Sequence, residues 1–300
     1  MVCKTIWNGK SVYVLSNKTL TLLVNPEDGM NIYDVIYHDI SIIKWDEERY
    51  QKKLTYGIPI LYPTPNRVEH NKIQVAGDTF EARMHGLVKN SKFKVDKNSE
   101  SIESCELNAY LEWNKEEAEE FFMFPFDSRL EIKIALNANV IFYQYKVINK
   151  GNKPLPYGFG IHPFFQKLSN QAKVILPAGC VMEAKEKLPT GKKIAATPDL
   201  FKGISVNETN FDHVFIDCSD TLKAKIIYED FQIDLKATNE FDYVVVYTPN
   251  QDFFCIENQT CSTNAHNLYE KGFKKESGLI LVQPGEYKSG NIWFEFTNEK

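Results

Sequence analysis

The stretch "LEIKIALNANVIFYQYKVINKGNKP" (130–154) decides the fold class. Its two runs, "LEIKIAL" (130–136) and "VIFYQYKVI" (140–148), are short and rich in β-branched and aromatic residues. With the turn-forming "NKGNKP" closing the second, they read as strands. The same pattern recurs on both sides. "SVYVLS" (11–16) and "LTLLV" (20–24) precede it; "AKIIYED" (224–230), "YVVVYTP" (243–249) and "NIWFEFT" (291–297) follow. "NPEDG" (25–29) and "QPGEY" (283–287) mark further turns. Only "WDEERYQKK" (45–53) and "NKEEAEEFF" (114–122, with Asn114 as N-cap) read as helices, each of about two turns. Strands follow strands with too few helices for βαβ units, so the sheets are expected to be mainly antiparallel. No solenoid period and no long linker divides the chain. The expectation is one all-β domain over residues 1–300, a large sandwich with a few short helices.

Bulk composition narrows the function classes. A 300-residue chain that is 43% hydrophobic and 25% charged can bury a full core without staples. A net charge of −5 gives no support to nucleic-acid binding. The six cysteines (Cys3, Cys105, Cys180, Cys218, Cys255, Cys261) form no C-x-x-C pair, as expected for single thiols in a reducing compartment. "MVCKTIWNGKSVYVLSNKTL" (1–20) has no apolar segment of signal-peptide length. No stretch is apolar for the 18 or so residues that a membrane span needs. A cytoplasmic protein that works on neither membrane nor nucleic acid is expected. Thirty-one basic residues are lysine and only four arginine (Arg49, Arg67, Arg83, Arg129), so an arginine hints at a need for a planar fork of donors.

Five short segments carry candidate chemistry. In "DFFCIENQT" (252–260), period-two alternation puts Phe253, Cys255 and Glu257 on one face and Phe254 and Ile256 on the other. A carboxylate in so apolar a strand is expensive unless satisfied or used. In "YGFGIHPFF" (157–165), a strand would align Gly158, Gly160 and His162, two bare positions beside one functional group. In "RMHGLVKN" (83–90), His85 precedes a glycine that allows a sharp turn. In "YPTPNRVEHNKI" (62–73), two prolines stiffen a loop that presents Asn66 and Arg67, the latter suited to sugar hydroxyls or a phosphate. In "FDHVFID" (211–217), Asp212 could accept paired hydroxyl hydrogen bonds. Each alone is equally compatible with a structural role. His38, His70 and His266 suggest none. The histidines lack metal-ligand spacing, so no metal is expected. A G-x-S-x-G elbow and a dinucleotide fingerprint are absent.

Taken in order, Asn-Arg (66–67), His-Gly (85–86), Gly-x-His-Pro-Phe-Phe (160–165), Asp-His (212–213) and Glu-x-x-Thr (257–260) resemble the aldose 1-epimerase (galactose mutarotase-like) family. The resemblance runs over nearly the whole chain. It implies a β-supersandwich of two large, mainly antiparallel sheets. It also implies Glu257 as general base, His162 as general acid, His85 as a second site histidine, and Arg67, Asp212 and Asn66 as sugar ligands. No cofactor is implied, since anomer interconversion involves neither redox nor group transfer. Its substrate is a small-molecule sugar. Three departures bear on which sugar: Asn258 where a proline often follows the base, Lys89 and Phe93 where the His-Gly segment usually continues to Arg and Trp, and "HPFF" in place of H-x-Y-F. A hexose-6-phosphate 1-epimerase and a non-catalytic carbohydrate-binding protein remain as alternatives. A two-carboxylate glycosidase using Asp212 and Glu257 is the least favoured.

Overall fold

The computed structural model describes residues 1–100, 104–219 and 221–298. The stretch 130–154 forms the strands Ser128–Asn137 and Val140–Asn149, paired antiparallel over their whole length. Along the first, Leu130, Ile132, Ile134 and Leu136 are buried while Arg129, Glu131 and Lys133 lie on the outer side. This alternation fixes the register, because a one-residue slip would turn the apolar set out to water. Each such side chain, fully buried, contributes about 1.5–3 kcal/mol.

Among the described residues this pair sits inside a nine-stranded sheet, with Tyr287–Asn298 and Phe231–Ala237 beyond it. An eight-stranded sheet faces it, in the order Leu188–Ala195, Ala178–Lys185, Asp212–Cys218, Tyr243–Tyr247, Phe253–Gln259, Gly160–Ile161, Ile60–Leu61, with Phe164–Gln166 also on Phe253–Gln259. A five-stranded meander from Val2 to Ser41 completes the main layers. Among the described residues every strand ladder is antiparallel. The protein is an all-β sandwich, as its sequence led us to expect. Its core joins both large sheets: Ile132, Tyr143, Ile233 and Phe294 from one meet Val244, Val246, Phe254 and Ile256 from the other. Tyr145 stacks on Phe159 at 4.0 Å between ring centroids, and Phe165 meets Phe294 at 6.0 Å.

Two local expectations change. The first acidic run does form a helix, Glu47–Gln51, capped by Asp46, whose Oδ1 accepts from Arg49 N at 2.9 Å. The second, 114–122, does not. Asn114 Oδ1 accepts from Glu116 N and Glu117 N as a cap would, but only turns and a short 3-10 segment, Phe121–Met123, follow. The charged residues pair outward, Glu117 with Lys94 and Glu120 with Arg83. So short a helix without a buried stripe lacks the packing that makes helices stable. The helices Ala265–Glu270 and Lys274–Ser277, absent from the sequence reading, lie beyond the candidate base. No described helix is long and apolar enough to cross a membrane.

Candidate active site

Phe253–Gln259 is buried at every position, so this strand of the eight-stranded sheet is covered on both faces. Phe254 and Ile256 enter the sandwich core, while Phe253 and Cys255 pack with Phe164 on the opposite face. Glu257 belongs to that second face, as alternation required. The Phe-Cys-Glu side is therefore a buried layer above the sheet.

"YGFGIHPFF" is not one continuous strand. It breaks into Leu155–Tyr157, Gly160–Ile161 and Phe164–Gln166. The two glycines are not an open floor either. A Cβ on Gly158 would sit 2.2 Å from Cys261 Sγ, and one on Gly160 would sit 2.8 Å from Gln259 Cγ. They are bare so that protein neighbours can approach. The broken strand still keeps a single register, with Gly160 opposite Gln259 and Phe164 opposite Cys255. Midway between these pairs, His162 faces Glu257, and His162 Nε2 lies 3.3 Å from Glu257 Oε1.

Two loops bring in the remaining groups. His85 and Gly86 both adopt positive φ, 68° and 80°. A Cβ on Gly86 would lie 2.2 Å from Tyr62 O, so the turn requires glycine. His85 N donates to Asn66 O and Leu87 N to Tyr62 O, which zips the His-Gly turn to the proline-stiffened loop. The His85 ring then meets His162 edge-on at 5.0 Å. Asn66 Oδ1 accepts from Arg67 N, and Asn264 N donates to Arg67 O, so the segment after the base clamps the arginine loop. Arg67 forks onto Asp212: Nη1 to Oδ1 and Nη2 to Oδ2, both 3.2 Å. His213, next to Asp212, also lines the cleft at that carboxylate, its ring set against Phe211 and Phe215 and its Nδ1 accepting from Asp212 N at 3.1 Å.

The six candidate residues therefore fall into two connected groups. Glu257, His162 and His85 form a buried cluster, exposed by 2%, 5% and 7%. Asn66, Arg67 and Asp212 line a cleft beside it with Val245, the residue paired with Glu257 across the sheet. That cleft holds only about 10 Å³, roughly the space of one water.

Burial governs the electrostatics. It pushes the Glu257 carboxyl up to about 8, opposed by the hydrogen bond from Gln259 Nε2 to Oε2 at 2.8 Å. Burial holds His162 well below its usual value, helped by coupling to the neighbouring His85, since both rings cannot be charged together, and by the positive field of Arg49. His85 is driven down to about 3 by burial, then by Lys89 and Arg67. At neutral pH burial thus favours the proton on Glu257 and a neutral His162. This is opposite to the carboxylate–imidazolium pair that the family's roles suggest. His162 Nδ1 and His85 Nδ1 are buried without partners among the described residues.

Three residues were not assigned to the site from sequence. Gln259 follows Glu257 at the same-face spacing of two, a signal that was present and unused. Arg49 holds Thr55 O and Thr55 Oγ1, with its guanidinium carbon 5.2 Å from the Phe164 ring; that ring stacks on His162 at 4.6 Å. Only its rarity as an arginine pointed to it. Lys187, whose Nζ is 3.1 Å from Asp212 Oδ2, gave no signal.

A family model described as aldose 1-epimerase matches residues 14–295. The chain belongs to the aldose 1-epimerase family. Solved structures of the same fold include a galactose mutarotase-like protein from Clostridium acetobutylicum, at 20% identity over 100% of this chain and 99% of that one, TM-score 0.89. Another is a galactose 1-epimerase from Lactobacillus acidophilus NCFM, at 14% identity over 100% and 99%, TM-score 0.79. A galactose mutarotase-like protein from Lactobacillus casei ATCC 334 matches at 16% identity over 95% and 100%, TM-score 0.77. At these identities the likeness is one of fold. Within the aldose 1-epimerase frame, no described group of three or more His, Cys, Asp or Glu could hold a metal ion.

Proposed function

We propose that this member of the family is an aldose 1-epimerase that interconverts the α and β anomers of a hexose by acid–base ring opening and closure, without a cofactor. The observation that carries this reading is the contact of His162 Nε2 with Glu257 Oε1 at 3.3 Å. Opening a hemiacetal removes a proton from the C1 hydroxyl and adds one to the ring oxygen. Two groups that share one proton and touch one another can straddle C1 and do both. Glu257 is the base and His162 the acid in the ring-closed complex. Opening turns that ionic pair into a protonated carboxyl and a neutral imidazole. This is the state that burial favours. The buried setting therefore stabilises the open-chain complex relative to the closed one, which is the direction catalysis requires. Rotation about C1–C2 and closure on the other face reverse both transfers. Asp212, Arg67 and Asn66 hold sugar hydroxyls, and His85, kept neutral, donates to or accepts from a sugar oxygen.

Polarimetry of freshly dissolved α-D-glucose and α-D-galactose tests the proposal. Glu257→Gln is expected to lower the exchange rate about 10²–10⁴-fold while sugar still binds. A wild-type rate in that variant would remove Glu257 as the base. Sugar binding with no acceleration by the wild-type protein would favour a binding protein. A second reading, a hexose-6-phosphate 1-epimerase, is favoured by Arg49 and Lys89. Both act on the two histidines, and neither pairs with a carboxylate among the described residues. A preference for phosphorylated sugar that weakens with salt would select it.

A further inference from the structure

Binding pockets for small molecules are usually of order 300–1,000 Å³. The cleft over Asp212 holds about 10 Å³, so a sugar cannot enter until part of its wall moves. Asn66 and Arg67 are tied to the buried loops, Thr263 is itself buried, and Asp212, His213, Val214 and Val245 belong to strands of the sheet. The remaining wall is the hairpin of Ala178–Lys185 and Leu188–Ala195, which contributes Met182, Ala184, Lys187 and Pro189.

This hairpin is built to move as a tip on a fixed base. Leu188–Ala195 is the end strand of its sheet. Ala184 pairs with Pro189 and Lys185 with Leu188, leaving Glu186 and Lys187 as a two-residue turn with φ of 52° and 67°, the I′-like geometry of tight hairpins. The register slips between Met182 and Ala184, which marks a bend point. At the bend itself, Thr190 Oγ1 donates to Glu183 Oε2 at 2.7 Å, and a Cβ on Gly191 would lie 2.5 Å from Phe273, so the bend is pinned and only the tip beyond it is free to swing. Beyond it, the tip residues from Ala184 to Lys187 are exposed. Lys187 reaches across the cleft from there to Asp212 Oδ2.

The occupancy of Asp212 shows what this reach does. Oδ1 accepts one hydrogen bond, from Arg67. Oδ2 receives two donors, Arg67 Nη2 and Lys187 Nζ. A carboxylate oxygen offers about two lone-pair sites. One sugar hydroxyl can therefore reach Oδ1, but a neighbouring hydroxyl reaches Oδ2 only when Lys187 leaves. We propose that Lys187 is a latch that sets substrate access: it holds the Glu186–Lys187 tip over the cleft and is displaced from Asp212 by a pair of adjacent sugar hydroxyls. The latch rests on the epimerase reading for its sugar, but not for its motion.

Met182 is buried between this cleft and a groove of about 400 Å³ on the other side of the hairpin, so the difference in its oxidation between variants, rather than its absolute rate, reports opening of the cleft without any sugar. Wild-type, Lys187→Gln and Lys187→Arg proteins are treated with dilute hydrogen peroxide, and Met182 sulfoxide is followed by peptide mass spectrometry. Met30, fully buried in the core, is the internal control. Lys187→Gln is expected to oxidise at Met182 several-fold faster than wild type with Met30 unchanged, and Lys187→Arg to stay near wild type. Added salt is expected to speed Met182 oxidation in wild type and not in Lys187→Gln. Equal Met182 rates in wild type and Lys187→Gln, or parallel acceleration at Met30, overturn the latch. In the anomer-exchange assay, Lys187→Gln is expected to lower KM roughly two- to five-fold, the range of an exposed ion pair; a raised KM also overturns it. Absence of anomer exchange in wild type would count against the proposed function and leave the Met182 comparison intact.

Discussion

Gln259 donates from Nε2 to Glu257 Oε2 across 2.8 Å, two residues along the same buried strand. This is the hydrogen bond that opposes the burial of the carboxylate. Gly160, opposite Gln259 in the sheet, leaves the room its side chain needs. Replacing Gln259 with Leu removes the donor while keeping most of the volume. The Glu257 carboxyl then rises further, and the alkaline limb of the kcat/KM profile moves to higher pH. An unmoved limb in Gln259→Leu would show that this contact does not tune the base.

The wild-type pH profile is expected to be a bell. Both groups must hold one proton between them, so activity fails when the pair loses it or gains a second. The free-protein value of about 8 at Glu257 places the alkaline limb near pH 8. The acid limb lies well below the usual imidazole range, because His162 resists a second proton. The limbs belong to the pair rather than to either residue. Activity that falls steeply between pH 7 and 6 would contradict the buried, neutral His162.

Stability carries the opposite signature at the same carboxyl. The folded Glu257 holds its proton up to about 8, whereas an unfolded glutamate loses it near 4.5. Between those values the folded state binds more protons, so this group lowers stability as pH rises through the window. Glu257→Gln has no proton to lose. Its thermal midpoint, compared with wild type from pH 5 to 8, is expected to gain steadily; a constant difference would mean that the carboxyl is not desolvated.

Asp212 separates binding from chemistry. Its removal takes away a charged acceptor and leaves Arg67 without its fork partner. Asp212→Ala is expected to raise KM about ten- to a hundredfold, with a much smaller effect on kcat. A kcat loss as large as the KM change would place Asp212 at the reacting centre instead.

Gly86 ties the fold to the site. At φ 80°, with Tyr62 O 2.2 Å from any Cβ, an alanine must strain the backbone and push the two loops apart. Gly86→Ala is expected to cost about 1–3 kcal/mol or more in urea unfolding and to reduce activity through His85. Wild-type stability in that variant would show that the loops yield freely.

The linear sequence was enough to set the strands and their inward faces, because β-sheet alternation is local and burial must follow it. Leu130, Ile132, Ile134 and Leu136 went inward as written, and so did the split of Phe254 and Ile256 from Phe253, Cys255 and Glu257. The candidate site residues were legible as short motifs, since each sits at a turn or strand end with its own local signature. The helix expected at 114–122 failed because a capping signal cannot supply a buried face. Contacts between distant segments had no such signature. Arg67 and Asp212 lie 145 residues apart, and only folding pairs them. The purpose of Gly158 and Gly160 depended on which neighbours, Cys261 and Gln259, would come to rest against them. Desolvation is a property of everything packed around a group. Hence only the tertiary structure decided that burial favours the proton on Glu257, and that Lys187 reaches Asp212 across the cleft.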